Sequence, residues 1–376
     1  MFLEMHVLQN YALSNLNRDD TGAPKSCEFG AVRRARISSQ CLKRAIRTYV
    51  REEELVPSDQ LSYRTKRLKE SLIGRFSEKG LDLDQADGLA TAAIKELGLK
   101  LDGEKTQYLL LIGEQEIDRL AESALIHRET LLSDSGKKAS QETKAARDEL
   151  LSALDGGGAV DLALFGRMIA DRPDKNVDAA AQVAHAISTH AVATEFDFYS
   201  AVDDLQTEDS DEGAGAGMLG TTLYNSACYY RYANLDLKQL AANLHGDEDH
   251  IASAVKCFAA GMIHSVPSGK QTASAAQNPP AVVFAIARDH GLWSLANAFV
   301  SPITIRGNED LVAKSADAMF AHFARLSKMY GADGVRYAGA ATYLDDFELP
   351  EGVKLEDNVS SLIESTLHGL SVSARA

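Results

Sequence analysis

Apolar positions along this chain switch between two periods, and the switches mark where strands give way to helices. Met5 to Tyr11 has the apolar density of a buried first strand, and Asn17-Arg18-Asp19-Asp20 followed by Thr21-Gly22-Ala23-Pro24 reads as a turn-rich loop. Val32 to Ile37 predicts a short second strand. Ser38 and Ser39 then offer side-chain oxygens to the orphaned amides of a helix start, ahead of Leu42, Ala45, Ile46 and Tyr49 at helical spacing. From Pro57 to about Asp155 the chain is charged, rich in Leu and Ala and helical in period, which predicts a helical insertion closed by Gly156-Gly157-Gly158.

After that insertion, Val160 to Phe165 predicts a strand ending at Gly166-Arg167-Met168, and a helix is expected from about Asp178, burying Ala180, Val183, Ala184 and Ile187. Val192 to Leu205 and Met218 to Asn234 are two β-rich runs around an acidic, Gly/Ala-rich tip, the pattern of a long hairpin. Val283 to Ala287 predicts another strand, and Asn308 to Met329 a helical region near the C-terminus. The order βαβ, hairpin, βαβ with two large inserts predicts an α+β fold built on a ferredoxin-like sheet.

At 376 residues and 45% hydrophobic content the chain can bury one large elaborated core or two ordinary ones. Cys27, Cys41, Cys228 and Cys257 form no CxxC pair, so reduced thiols in a cytoplasmic protein are expected, without a disulfide or zinc framework. The first residues lack the pattern of a secretory leader, and no apolar run has the length of a bilayer crossing, so no membrane partner is expected.

Charge changes the picture at one place. The formal net charge is −15, yet Phe29 to Arg51 holds seven basic residues and no acidic one, which leaves −22 on the rest. Lys43, Arg47 and Arg51 recur every fourth residue, one stripe beside the apolar stripe, with Arg44 flanking and the arginines of Val32–Ile37 ahead of it. No Asp or Glu stands three or four positions away to pair Lys43 or Arg47 within the helix. Such a stripe can be a solvated face or a seat for phosphates, and the capped helix start beside it favours phosphates.

Enzyme signatures mostly fail. Ser268-Gly269-Lys270 resembles the end of a P-loop, but His264 replaces its first glycine and Gln271 the residue that would bind Mg²⁺. The glycines from Gly213 to Gly217 join no strand to a helix in a dinucleotide-binding unit. His185 and His190 lie about 140° apart around a helix, too far to share one metal. Asp203 and Asp204 with Glu208, Asp209, Asp211 and Glu212 leave open an alternative, a metal-dependent ribonuclease, although adjacent strand carboxylates face opposite ways. Phe196 and Phe198 share one face of the predicted hairpin strand, with Asp197 and Tyr199 on the other; such rings can pack in a core or wedge against a base. Met168 beside Arg167 has the same two readings.

Several blocks resemble the backbone subunit of type I-E CRISPR Cascade, the CasC family: Asn17-Arg18-Asp19-Asp20, Phe29 to Arg47, Gly166-Arg167-Met168, His185 to His190, Ala201 to Gln206, Tyr230-Arg231-Tyr232-Ala233-Asn234, Val266-Pro267 with Gly269-Lys270-Gln271, and Leu295 to Phe299. The likeness is low from Pro57 to Asp155 and past Phe299. The resemblance implies an RRM-like palm (residues 1–56 and 157–376), a helical finger (57–156) and a β-hairpin thumb (192–225). It implies a non-enzymatic protein without cofactor or metal that polymerises along a guide crRNA as a right-handed filament of about six copies. In that family the thumb kinks the guide and leaves base segments free to pair with target DNA.

The implied partners are the crRNA, target DNA through the guide, further copies of the chain, and the large, small, 5′-handle-binding and 3′-hairpin-binding endoribonuclease subunits. Carried onto this sequence, the resemblance and the basic segment together give RNA contacts at Arg18, Lys25, Arg34, Ser38, Gln40, Lys43, Arg44, Arg47, Arg167, Met168, Phe198, Tyr199, Lys270 and Gln271.

Overall fold

Val7 and Leu8, neighbours on the first strand, are both buried, on opposite faces of one sheet. That requires cover on both sides, and the helices supply it. The computed structural model of the chain describes residues 1–133, 141–156, 158–201, 218–345 and 348–372. In chain order the elements are β1 (Phe2–Ser14), β2 (Ser26–Phe29), β3 (Val32–Ile37), α1 (Ser39–Glu52) and β4 (Ser62–Thr65). There follow α2 (Leu68–Glu78), α3 (Leu83–Glu96), the small β5 (Leu101–Asp102) and β6 (Lys105–Thr106), β7 (Leu110–Gly113), α4 (Glu114–Ile126), α5 (Arg128–Ser133) and α6 (Gln141–Ser152). Then come α7 (Val160–Phe165), β8 (Ala181–Val183), β9 (Ala186–Ser188), β10 (Glu195–Ala201) and β11 (Met218–Asp236). The rest is α8 (Leu237–Asn243), α9 (Glu248–His264), α10 (Gln271–Ser274), β12 (Val282–Arg288), α11 (Leu311–Tyr330), β13 (Val335–Thr342), β14 (Lys354–Leu355) and α12 (Val359–Gly369).

The large sheet runs β14-β13-β12-β1-β11-β9-β3-β2, with β8 and β10 also paired to β11. Strand alternation sends Leu3, Met5, Val7 and Tyr11 to the face covered by α1, α9 and α12, while Leu8 joins Tyr230, Phe284 and the α11 residues Met319 and Phe320 on the other. Gly261 lets α9 come close to α1, since a Cβ there would lie 2.6 Å from Ile46 Cγ2. A separate core, including Leu72, Phe76, Leu89, Ile94, Leu120 and Leu150, joins α2 to α6. The fold is α+β, an RRM-like palm with a helical finger insertion and a hairpin thumb formed by β10 and the start of β11.

Two sequence expectations are overturned. Val160–Phe165 is the helix α7, not a strand: Val160 to Leu164 are all buried, so the run carries no alternation, and burial alone does not separate a short strand from a short helix. The helix expected from Asp178 is instead β8 and β9. Apolar spacing there mimics a helix, but Ala181 and Val183 point in while Gln182 points out, and β11 supplies the backbone partners. The tip between β10 and β11, with Asp203, Asp204 and the acids from Glu208 to Glu212, lies outside the described residues.

The α11 face of the sheet buries charge. Glu4 accepts from Arg288 Nη1 (2.9 Å), the Tyr232 hydroxyl (2.9 Å) and the Trp293 amide (2.6 Å), and Arg288 stacks 4.1 Å from the Trp293 ring centroid. His6, packed on Tyr230, Tyr232 and Phe284, stays neutral and accepts the Tyr230 hydroxyl at Nδ1, 2.8 Å away. Burial, helped by the Arg288 charge, pushes its pKa from 6.5 down to about 3. Between those values the unfolded chain takes up a proton that the native chain refuses. Stability is therefore expected to fall as pH drops below about 6.5, by at most about 1.4 kcal/mol per unit from this group. Burial raises the Glu4 pKa against the pull of Arg288, and this opposes the His6 effect at lower pH. Melting His6→Gln beside the parent at pH 6.5 and 5 isolates the histidine: the difference between the two pH values should shrink in the variant, and an unchanged difference contradicts the assignment.

Candidate nucleic-acid interface

Helix α1 begins as its sequence predicts. The Cys41 amide donates to Ser38 Oγ (3.3 Å), the Ser38 amide donates to Asn17 Oδ1 (2.8 Å), and the first turn contains no acid. Gln40 stands exposed on that turn. Asn17 belongs to a loop set by Asp19, whose carboxylate accepts the Thr21 and Ala23 amides, so exposed Arg18 and half-exposed Lys25 are held next to the helix start. A second loop comes to the same place. Gly269 approaches so closely that a Cβ would lie 2.3 Å from Leu16 O, and this seats Lys270 beside the Asn17 loop. Gln271 turns inward, its Nε2 donating to Pro267 O (2.9 Å), so it shapes the loop instead of presenting an amide outward. Ser38 likewise commits its hydroxyl to the cap and is buried.

Along α1 the stripe divides. Half-buried Lys43 lies 5.9 Å from the Phe165 ring centroid, and burial lowers its pKa. Arg44 is exposed and no carboxylate among the described residues pairs with it. Arg47 is already engaged: its Nε donates to Asp161 Oδ2 (2.7 Å) and its Nη2 to Ser62 O (3.1 Å). Arg51 donates to the same carbonyl (2.7 Å) and stacks 4.7 Å from the Tyr63 ring centroid. The sequence excluded an acid within the helix; the acid that pairs Arg47 comes from α7.

Two arginines expected at the interface are interior. Arg34 is fully buried, donating to Phe29 O (3.1 Å), Ser188 O (3.1 Å) and Phe299 O (2.7 Å), which leaves it no outward donor. Burial lowers its pKa. The Gly30–Ala31 turn beneath it has positive φ at both residues, the type I′ geometry, and a Cβ on Gly30 would stand 1.7 Å from Val300 O. Arg167 is paired with Glu116, both side chains fully buried, and also donates to Lys175 O (3.2 Å). These buried guanidiniums act on protein carbonyls and carboxylate, not on phosphate.

What Arg167 does is present its neighbour. It pairs with Val177 through two backbone hydrogen bonds of 2.9 Å, and Gly166, at φ +74°, packs on Val177 and Ala179. Met168 projects from this turn 79% exposed. On the hairpin, Phe196 and Phe198 are 77% and 66% exposed and share a face with Leu219 and Leu223. Tyr199 turns to the other face and lies over Gly220, where a Cβ would be 2.3 Å from its ring. The hairpin thus shows an apolar face, and the Gly166–Arg167 turn an exposed thioether. His185 accepts the Ser39 amide (3.3 Å), and His190 Nε2 accepts the Cys228 amide (3.3 Å), so both histidines have structural partners.

Arg64 was missed by the sequence reading. It sits on β4, exposed, and its signal, the cations Arg64, Lys66, Arg67 and Lys69, is hidden inside a generally charged insertion. Among the described residues no group of three or more His, Cys, Asp or Glu could hold a metal ion, and no helix is long and apolar enough to cross a membrane.

A family model described as CT1975-like protein matches residues 3–365. A solved chain titled "CRISPR RNA-guided surveillance complex, pre-nicking" is 30% identical with a TM-score of 0.86, covering 98% of this chain and 100% of that one. A second, titled "CRISPR RNA-guided surveillance complex", is 25% identical with a TM-score of 0.74, covering 98% and 99%. No curated protein matches.

Proposed function

Since this chain belongs to the CT1975-like protein family, we propose that it is the backbone subunit of a Cascade-type CRISPR surveillance complex of type I-E. In this reading it polymerises along a guide crRNA, holds the phosphate backbone without reading sequence, and kinks the guide so that base segments can pair with invading DNA. The observation that carries the reading is the arrangement around α1. Gln40, Lys43 and Arg44, with Arg18, Lys25 and Lys270 from the two adjoining loops, form a track in which the described residues provide no pairing acid. Exposed Met168 and the Phe196–Phe198 hairpin face are suited to packing on unstacked bases. The likeness to surveillance-complex chains over 98% of the sequence supports the same role.

Further copies of the chain, about six on one guide, would join head to tail. The large, small, 5′-handle-binding and 3′-hairpin-binding subunits complete the proposed partners in the cytoplasm. The role requires no catalytic centre. Protein purified from cells is expected to carry bound RNA, seen as a raised 260/280 nm ratio, and to leave labelled single-stranded RNA intact in Mg²⁺. Cleavage abolished by Asp204→Ala would overturn the scaffold role in favour of a thumb-carboxylate nuclease.

A further inference from the structure

Strand β4 lies against the C-terminal half of α1, because Ser62 O accepts from both Arg47 (3.1 Å) and Arg51 (2.7 Å) and the Ser62 amide donates to Asp161 Oδ1 (2.8 Å). Strand alternation puts Arg64 on the same face as Ser62, toward the helix. Partial burial and then the positive charges of Arg47 and Arg44 lower the Arg64 pKa. Three guanidiniums therefore share a neighbourhood in which Asp161 is committed to Arg47. Arg44 and Arg64 have no ion-pair partner among the described residues, and like charges left together in this way favour an anion between them.

Beyond Arg64 opens a cleft of about 490 Å³, also lined by Tyr63, Arg67 and Arg75. Its two acids are occupied: Glu70 pairs with Arg67 at 3.6 Å, and Glu114 with Arg75. Arg64 thus lines a space with the volume to take a nucleotide and has no ion-pair partner among the described residues.

We propose that Arg64 is a further RNA-contacting residue, which together with Arg44 grips a phosphodiester of single-stranded RNA where the strand passes from the palm helix onto the finger, the adjoining cleft taking the next nucleotide. The track does not end on the palm; it continues onto β4. This rests on the RNA-binding role above, and the test separates the two.

Binding of a fluorescent single-stranded RNA is measured by anisotropy across a salt series for the parent, Arg64→Ala and Arg64→Lys. Loss of one phosphate contact should weaken binding about fivefold at 0.1 M salt and make the log–log salt slope shallower by about 0.7. Arg64→Lys should keep the slope. Because the Arg64 side chain is exposed and has no hydrogen-bond or ion-pair partner among the described residues, both variants should melt with the parent. An Arg64→Ala protein that binds with parental affinity and slope overturns this inference alone. A parent that binds no RNA overturns the proposed function and this inference together.

Discussion

Glu116→Ala is expected to destabilise the protein by about 3–5 kcal/mol, because it strands the Arg167 guanidinium as an uncompensated buried charge. Glu116 accepts the Gly113 amide (2.8 Å), the Gly156 amide (2.8 Å) and Arg167 Nη1 (2.7 and 2.8 Å), and neither side chain of the pair reaches solvent. One carboxylate thereby ties the start of α4, the end of the finger and the turn that carries Met168. In calorimetry the melting temperature should drop by about 5 °C. The double change Glu116→Leu/Arg167→Met removes both charges and should recover part of the loss, but not all, since two glycine amides still lose their acceptor. A single variant as stable as the parent would show that the pair is not what holds this junction.

The second large effect is on binding. Lys43→Ala/Arg44→Ala removes two unpaired cations of the track, and RNA affinity should fall about 25-fold at 0.1 M salt while the salt slope loses about 1.4. Arg34 and Arg167 give the contrast. Substituting either should cost stability, and in the fraction that stays folded the salt slope should match the parent, since neither guanidinium faces solvent. Equal slopes for the parent and the Lys43/Arg44 variant would remove α1 from the RNA path.

What the sequence could disclose follows from how local each signal is. The start of α1 was legible because Ser38, the apolar spacing and the basic stripe lie within a dozen positions and agree. Strands β1 and β3 were legible for the same reason, and two β-rich runs around an acidic, Gly/Ala-rich tip pointed to the hairpin. The nature of Val160–Phe165 was not legible, since Val160 to Leu164 are all buried and no period survives. Nor were the roles of Arg34, Arg167 and Arg47. Their acceptors are Phe299, Glu116 and Asp161, distant in sequence and brought near only by the finished fold. A buried arginine and a phosphate-binding arginine look the same in one dimension. The same holds for Arg64, whose meaning depends on β4 lying against α1.

Asp161 has a consequence for geometry on a larger scale. It accepts from Ser62 at the root of the finger and from Arg47 on the palm helix, and it is itself buried. The finger cannot swing away from α1 without abandoning a carboxylate in the interior, so the angle between them is fixed in each copy. In the proposed head-to-tail assembly a fixed angle would be repeated at every joint and would become the pitch of the filament. A few degrees of slack at this one junction would add up along the filament, and the spacing between successive gripped phosphates would drift with it.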